Sequence, residues 1–130
     1  MSQREIKFRA WDKIEKIMYA PTDLFLCSDG KTWATDNDGR YGKSHHQNRE
    51  DVALMQFTGL CDNNGEEIYE GDIVTGSSHD GARILRAPVI WMHAGWYVGY
   101  IEGNITSLEA VGKPQILGNI YENSEIELLE

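Results

Sequence analysis

Leu54-Met-Gln-Phe-Thr-Gly-Leu-Cys-Asp-Asn-Asn-Gly-Glu-Glu-Ile-Tyr-Glu-Gly-Asp-Ile-Val74 decides the fold. Two short apolar runs flank a turn-rich centre, and a second turn leads into a β-favouring run. Asp62-Asn63-Asn64-Gly65 supplies residues that accept left-handed backbone, and Gly71-Asp72 aims the chain into Ile73-Val74-Thr75. The stretch predicts strand, tight turn, strand, and it holds no catalytic constellation.

The same alternation continues outward. Glu5 to Trp11 alternates, with Ile6, Phe8 and Ala10 on one face and Lys7, Arg9 and Trp11 on the other. Asp12 to Lys16 has the length and polarity of a hairpin connection, so Ile17 to Tyr19 returns antiparallel before Pro21 stops it. Leu24 to Cys27 and Thr32 to Thr35 form a second hairpin around Ser28-Asp29-Gly30-Lys31. The polar run from Arg40 to Asp51 offers little to bury and reads as a loop.

Beyond the central stretch, Gly76 to Gly81 reads as a flexible connection. Ile84 to Met92 is a strand whose Pro88 belongs at an edge or a bulge, because proline lacks a ladder donor. His93-Ala94-Gly95 makes the shortest hairpin connection, and Trp96 to Ile101 runs back. Thr106 to Ala110 suits one helical turn, which Gly112 and Pro114 keep short. Gln115 to Tyr121 is the last strand, and Asn123 or Ser124 is placed to cap a short acidic helix over Glu125 to Leu129.

Three segments carry a resemblance. Met55 to Leu60, Asp62 to Gly65 and Ile68 to Val74 together resemble the signature of the YopX family of phage and prophage proteins. Arg4 to Asp12 with Met18-Tyr19 is similar to that family's opening, and Ile116 to Asn123 to its close. Cys61 departs from the family's usual polar or charged residue, and Ser124 from a common proline. The resemblance implies a β-rich, SH3-like pseudo-barrel and self-assembly; with the residue reading, the expected fold is all-β, of short antiparallel strands with one or two short helical turns near the C-terminus. The resemblance carries an architecture and no reaction chemistry.

At 130 residues and 41% hydrophobic, the chain is expected to form one domain over 1–130. Twenty-one acidic against 12 basic residues give a net charge of −9. That balance disfavours nucleic acid as a partner, since nonspecific affinity for phosphate comes from cations. The acids concentrate: Asp62 to Asp72 holds five and no base, so Glu66, Glu67, Glu70 and Asp72 are a candidate acidic face. Met1 to Glu5 leads into no apolar run long enough to span a bilayer, so a soluble, cytoplasmic protein with no membrane partner is expected. Cys27 and Cys61 are expected to be free thiols.

Neither metal nor cofactor is expected. Asp36 to Gly39 and Asp62 to Gly65 suggest calcium loops, but Ala34 and Leu60 stand where the first ligand belongs. Cys27, His45, His46, Cys61, His79 and His93 lack zinc-ligand spacing. Ser77, Ser78, His79 and Asp80 are the one crowd of hydrolase residue types, with no nucleophile elbow around them. Gly95, Gly99 and Gly103 lack the company of a phosphate loop.

The residual clue is aromatic. Trp91, Trp96, Tyr97 and Tyr100 concentrate in one hairpin, where they serve as core, subunit contact or ligand groove. The expectation is therefore a non-enzymatic accessory protein, a homo-oligomer acting through contact with a host or phage protein. An acidic inhibitor that mimics nucleic-acid charge, and a small enzyme with an unrecognised site, are the alternatives.

Overall fold

A computed structural model of the chain describes residues 5–21, 23–26, 28–29, 32–35, 46–48, 52–100 and 103–126. These residues are almost entirely antiparallel β-structure, as the alternation predicts. They fall into two compact units, one of residues 7–56 and one of residues 1–6 with 57–130. Strand β6, Val52–Cys61, runs from the first into the second.

In the first unit, β1 (Phe8–Asp12) and β2 (Ile17–Tyr19) form the opening hairpin, and β1 also pairs with Val52 to Gln56 of β6. The hairpin closes because the Asp12 carboxylate accepts the Ile14 and Glu15 N–H groups at 2.9 and 3.0 Å, while Lys16 adopts a positive φ of 59°. Ala10, Tyr19 and Val52 are buried together, with Leu54 against them. Trp11 and Asp12 are buried as well, so both faces of β1 are covered near its end, whereas Ile6 is exposed.

Strands β3 (Asp23–Leu26) and β4 (Thr32–Thr35) form the expected second hairpin. The loop reading of 40–51 needs a correction: His46–Asn48 is a strand, β5, antiparallel to β4. Backbone pairing can hold a short strand without apolar alternation, and His46-Gln47-Asn48 shows none. The rest of that loop lies outside the described residues.

The second unit contains β7 (Glu67–Tyr69), β8 (Asp72–Ser77), β9 (Ile84–Met92), β10 (Gly95–Gly99), β11 (Ile105–Ser107), a single 3-10 turn at Leu108–Ala110, and β12 (Gly112–Asn119). Five of these strands make a sheet in the order β11-β10-β9-β8-β12. Its inner face buries Ile68, Val74, Leu85, Ala87, Val89, Val98, Leu108 and Val111, and Leu60, Trp96, Tyr100 and Ile116 pack on that cluster.

Pro88 is neither on an edge strand nor at a bulge, because β9 is the centre of the sheet. It sits instead where β9 changes partners. The ladder with β8 ends at Ile73↔Pro88 and the ladder with β10 begins at Val89↔Val98, so the missing N–H falls at the end of both. Of the helix expected over Glu125 to Leu129, only the start is described, where Ser124 to Ile126 form a turn; 127–130 lie outside the described residues. The Asn123 side chain points backward: its Oδ1 accepts the Asn119 N–H at 3.1 Å, so it is not available to cap forward. No helix among the described residues is long and apolar enough to cross a membrane.

Candidate functional site

The central turn is built on a buried acid. Asp62, 7% exposed, accepts the Asn64 and Glu66 N–H groups on Oδ1, both at 2.9 Å, and the Ile116 N–H on Oδ2 at 3.1 Å. The Asn63 N–H donates to the Pro114 carbonyl at 2.7 Å, so the turn is fastened to β12 by side chain and backbone together. Burial opposes the charge on Asp62, and the N–H groups of Glu66, Ile116 and Asn64 outweigh it, holding the carboxyl below its ordinary range. A carboxylate engaged in this way is a structural anchor for the turn.

Gly65 and Gly71 both hold positive φ, 85° and 86°, as the turn chemistry predicts. Gly71 is a junction: its N–H donates to the Val89 carbonyl at 3.0 Å and its carbonyl accepts the Ile120 N–H at 2.9 Å. Asp72, 2% exposed, accepts the Tyr69 N–H at 2.8 Å. The candidate acidic face therefore loses Asp72 to the interior, leaving Glu66 and Glu67 exposed and Glu70 half-buried. Glu70 reaches the C-terminal segment. Burial first, and the Glu70 charge second, push the Tyr121 phenol above its ordinary value.

Ser78, His79 and Asp80 form a turn that leaves the histidine out. The Ser78 hydroxyl donates to Asp80 Oδ1 at 2.7 Å and accepts the Arg83 N–H at 3.0 Å, while His79 is exposed. The Ala82 N–H, then the Ser78 hydroxyl, lower the Asp80 carboxyl. In this arrangement Ser78 and Asp80 fasten the loop to the Arg83 and Ala82 backbone. Cys61 is exposed and free.

The aromatic hairpin is a site of a different kind. Trp91 and Trp96 are cross-strand partners, with ring centroids 4.8 Å apart and planes at 65°. Trp96 packs inward on the core, and Trp91 stays 51% exposed. Tyr97 stacks edge-on to His93 at 6.2 Å, and Tyr100 packs against the core. Trp91, Trp96 and Tyr97, three of the four candidate interface aromatics, line one groove of about 470 Å³, and Tyr100 does not.

Its other walls were not legible in the sequence. One is a bulge in β6, where the Thr58 hydroxyl donates to the Ile68 carbonyl at 2.8 Å and accepts the Leu60 N–H at 3.2 Å, and Gly59 turns to φ +88°. The other is Ser107 to Glu109, where β11 gives way to the 3-10 turn. A smaller pit of about 160 Å³, lined by Cys61, Ile68 and Pro114 among others, shares Leu60, Leu108 and Glu109 with the groove.

Comparison with known proteins places this architecture. Residues 7–130 match the family described as YopX protein. The crystal structure of protein yopX from Bacillus subtilis aligns with a TM-score of 0.66 at 22% identity, covering 95% of this chain and 98% of that one. A crystal structure from Enterococcus faecalis aligns with a TM-score of 0.60 at 24% identity, with the same coverage. Comparison with curated proteins returns no match. With a family match over nearly its whole length, and the fold of those two structures, the chain belongs to the YopX family.

Proposed function

We propose that the protein is a non-enzymatic phage or prophage accessory module that assembles as a homo-oligomer and works in the cytoplasm by protein contact through its aromatic hairpin. The observation that supports this reading is Trp91. A half-exposed indole, held edge-to-face by a second indole on the lip of a concave groove, has the form of a binding hot spot: large, rigid and partly desolvated before any partner arrives. Self-assembly is supported by the family's resemblance rather than by any single contact. Light scattering tests it: the expected mass is a multiple of the 14.8 kDa chain. A concentration-independent monomer removes the oligomeric part, and capture of a host or phage protein that is indifferent to Trp91→Ala removes the hairpin as its surface.

The acidic-inhibitor reading keeps one favourable observation: the charge of one central acid, Glu70, is felt at Tyr121, which neighbours the exposed Glu122 in sequence. It is separated by salt. Joint replacement of Glu66, Glu67 and Glu70 by Gln weakens capture of a basic nucleic-acid enzyme in a salt-sensitive way on that reading, and leaves capture unchanged on the hairpin reading.

A further inference from the structure

We infer that the groove under the aromatic hairpin is a seat for a cationic side chain, and that its occupant is an arginine on an exposed segment of a partner protein. The inference rests on the interaction reading above and names the chemistry of the partner.

The lining supplies both halves of a cation site. Trp91 and Trp96 supply π faces, whose negative quadrupole attracts a cation lying within about 6 Å of the ring. Glu109 supplies a full charge. It is exposed, it sits on the 3-10 turn facing the same groove, and among the described residues it has no ion-pair partner.

Among the described residues, no lysine or arginine lines the groove. Thr58 is already engaged as donor and acceptor within the bulge, so the side-chain acceptors the lining offers a cation are the Glu109 carboxylate and the Ser107 and Tyr97 hydroxyls.

Arginine fits this set better than lysine. A planar guanidinium stacks on an indole and offers a fork of N–H donors to a carboxylate at once, whereas an ammonium is a strongly hydrated point charge. The overall charge of −9 favours the approach of a basic segment and opposes a nucleic-acid strand, whose bases would also stack on tryptophan but whose phosphates would meet Glu109. The small neighbouring pit, apolar apart from Cys61 and Glu109, suits a flanking aliphatic side chain of the same segment.

Calorimetric titration of the full chain with an acetylated tetra-arginine peptide, with a tetra-citrulline peptide of the same shape, and with an oligothymidylate tests the inference. Arginine is expected to bind at least about tenfold more tightly than citrulline, and the oligothymidylate not at all at physiological salt. Trp91→Ala and Glu109→Gln each weaken arginine binding about five- to tenfold, both being surface changes that circular dichroism can confirm as folded. Glu125→Gln removes the same charge from an exposed residue outside the groove and leaves binding unchanged.

Equal binding of arginine and citrulline overturns the inference, as does preference for the oligothymidylate. So does an equal loss in Glu125→Gln, which would reduce the effect to the net charge. Capture of a protein partner that needs Trp91 but tolerates Glu109→Gln and ignores the arginine peptide overturns this inference alone and leaves the interaction reading standing.

Discussion

Two turns of the second unit solve the same problem in opposite ways. Asp62 to Gly65 connects β6 to β7 with residues that accept their backbone angles: a buried aspartate collects three N–H groups, and glycine takes the positive φ. His93-Ala94 connects β9 to β10 in two residues, with φ of 50° and 57°, and neither residue is Asn, Asp or Gly. Left-handed backbone costs an L-residue about 1–2 kcal/mol, so this hairpin holds strain that its own turn does not relieve. The first turn fixes the fold. The second carries the lip of the groove, and local strain persists where surrounding structure over-determines it, often beside sites that bind. Here the aromatic pair across the hairpin does the over-determining.

The largest expected effect comes from breaking the relaxed turn. Asp62→Asn sets an NH2 group against one of the N–H donors that the carboxylate now satisfies, and is expected to cost about 2–3 kcal/mol in denaturant unfolding. A loss below about 0.5 kcal/mol would show that the anchor is ornamental. The effect has a pH signature. Because the folded carboxyl lies below its ordinary value, its contribution is present above the unfolded value near pH 4 and is lost as pH falls through the folded one. Parent and variant should therefore converge in acid, and a constant difference down to about pH 2 would contradict the charge argument.

Gly71→Val comes next, since it forces a branched residue into φ 86° while two backbone bonds hold the junction. It is expected to cost about 1–2 kcal/mol; an unchanged Tm would mean the junction can relax. The strained turn is expected to respond with the opposite sign. His93→Asn with Ala94→Gly should stabilise the protein by about 1 kcal/mol, the relief of strain being partly offset by a more flexible unfolded chain. Destabilisation by that double variant would erase the contrast between the two turns. The smallest effect is electrostatic: Glu70→Gln is expected to bring the Tyr121 phenol partway back down in an ultraviolet titration, while Glu125→Gln should not.

What the sequence displays and what it conceals divide along the range of the interactions. The hairpins at Asp12 to Lys16 and at His93 to Gly95, the latter narrowed by the Gly95↔Met92 pairing to His93-Ala94, the Asp62 to Gly65 turn and the Gly71 entry are legible because each is decided within a few residues. β5 is not, because three polar residues pairing through backbone carry no alternation. Pro88 misled because the residue type reveals a missing donor but not where two ladders meet. At the C-terminus only Ser124 to Ile126 of the expected helical segment are described, and they form a turn, while the Asn123 side chain serves the end of β12.

For the groove, Trp91, Trp96 and Tyr97 come together in sequence because one hairpin carries all three. Glu109 and the Thr58 to Leu60 bulge join them only through tertiary structure. Counting charges puts Asp72 on the acidic face, whereas the fold turns it inward to hold a strand start, which composition does not reveal.

The edge-to-face indole pair also has an optical consequence. Two identical chromophores 4.8 Å apart and inclined at 65° exchange excitation, so their shared transition splits into a couplet of opposite signs in far-ultraviolet circular dichroism. The lip of the groove thus carries a built-in chromophore pair whose signal depends on mutual orientation. A ligand that wedges the rings apart would flatten the couplet while the sheet signal persists, and one that stacks on the outer face of Trp91 would leave its sign intact. The molecule reports the mode of occupancy with no label attached.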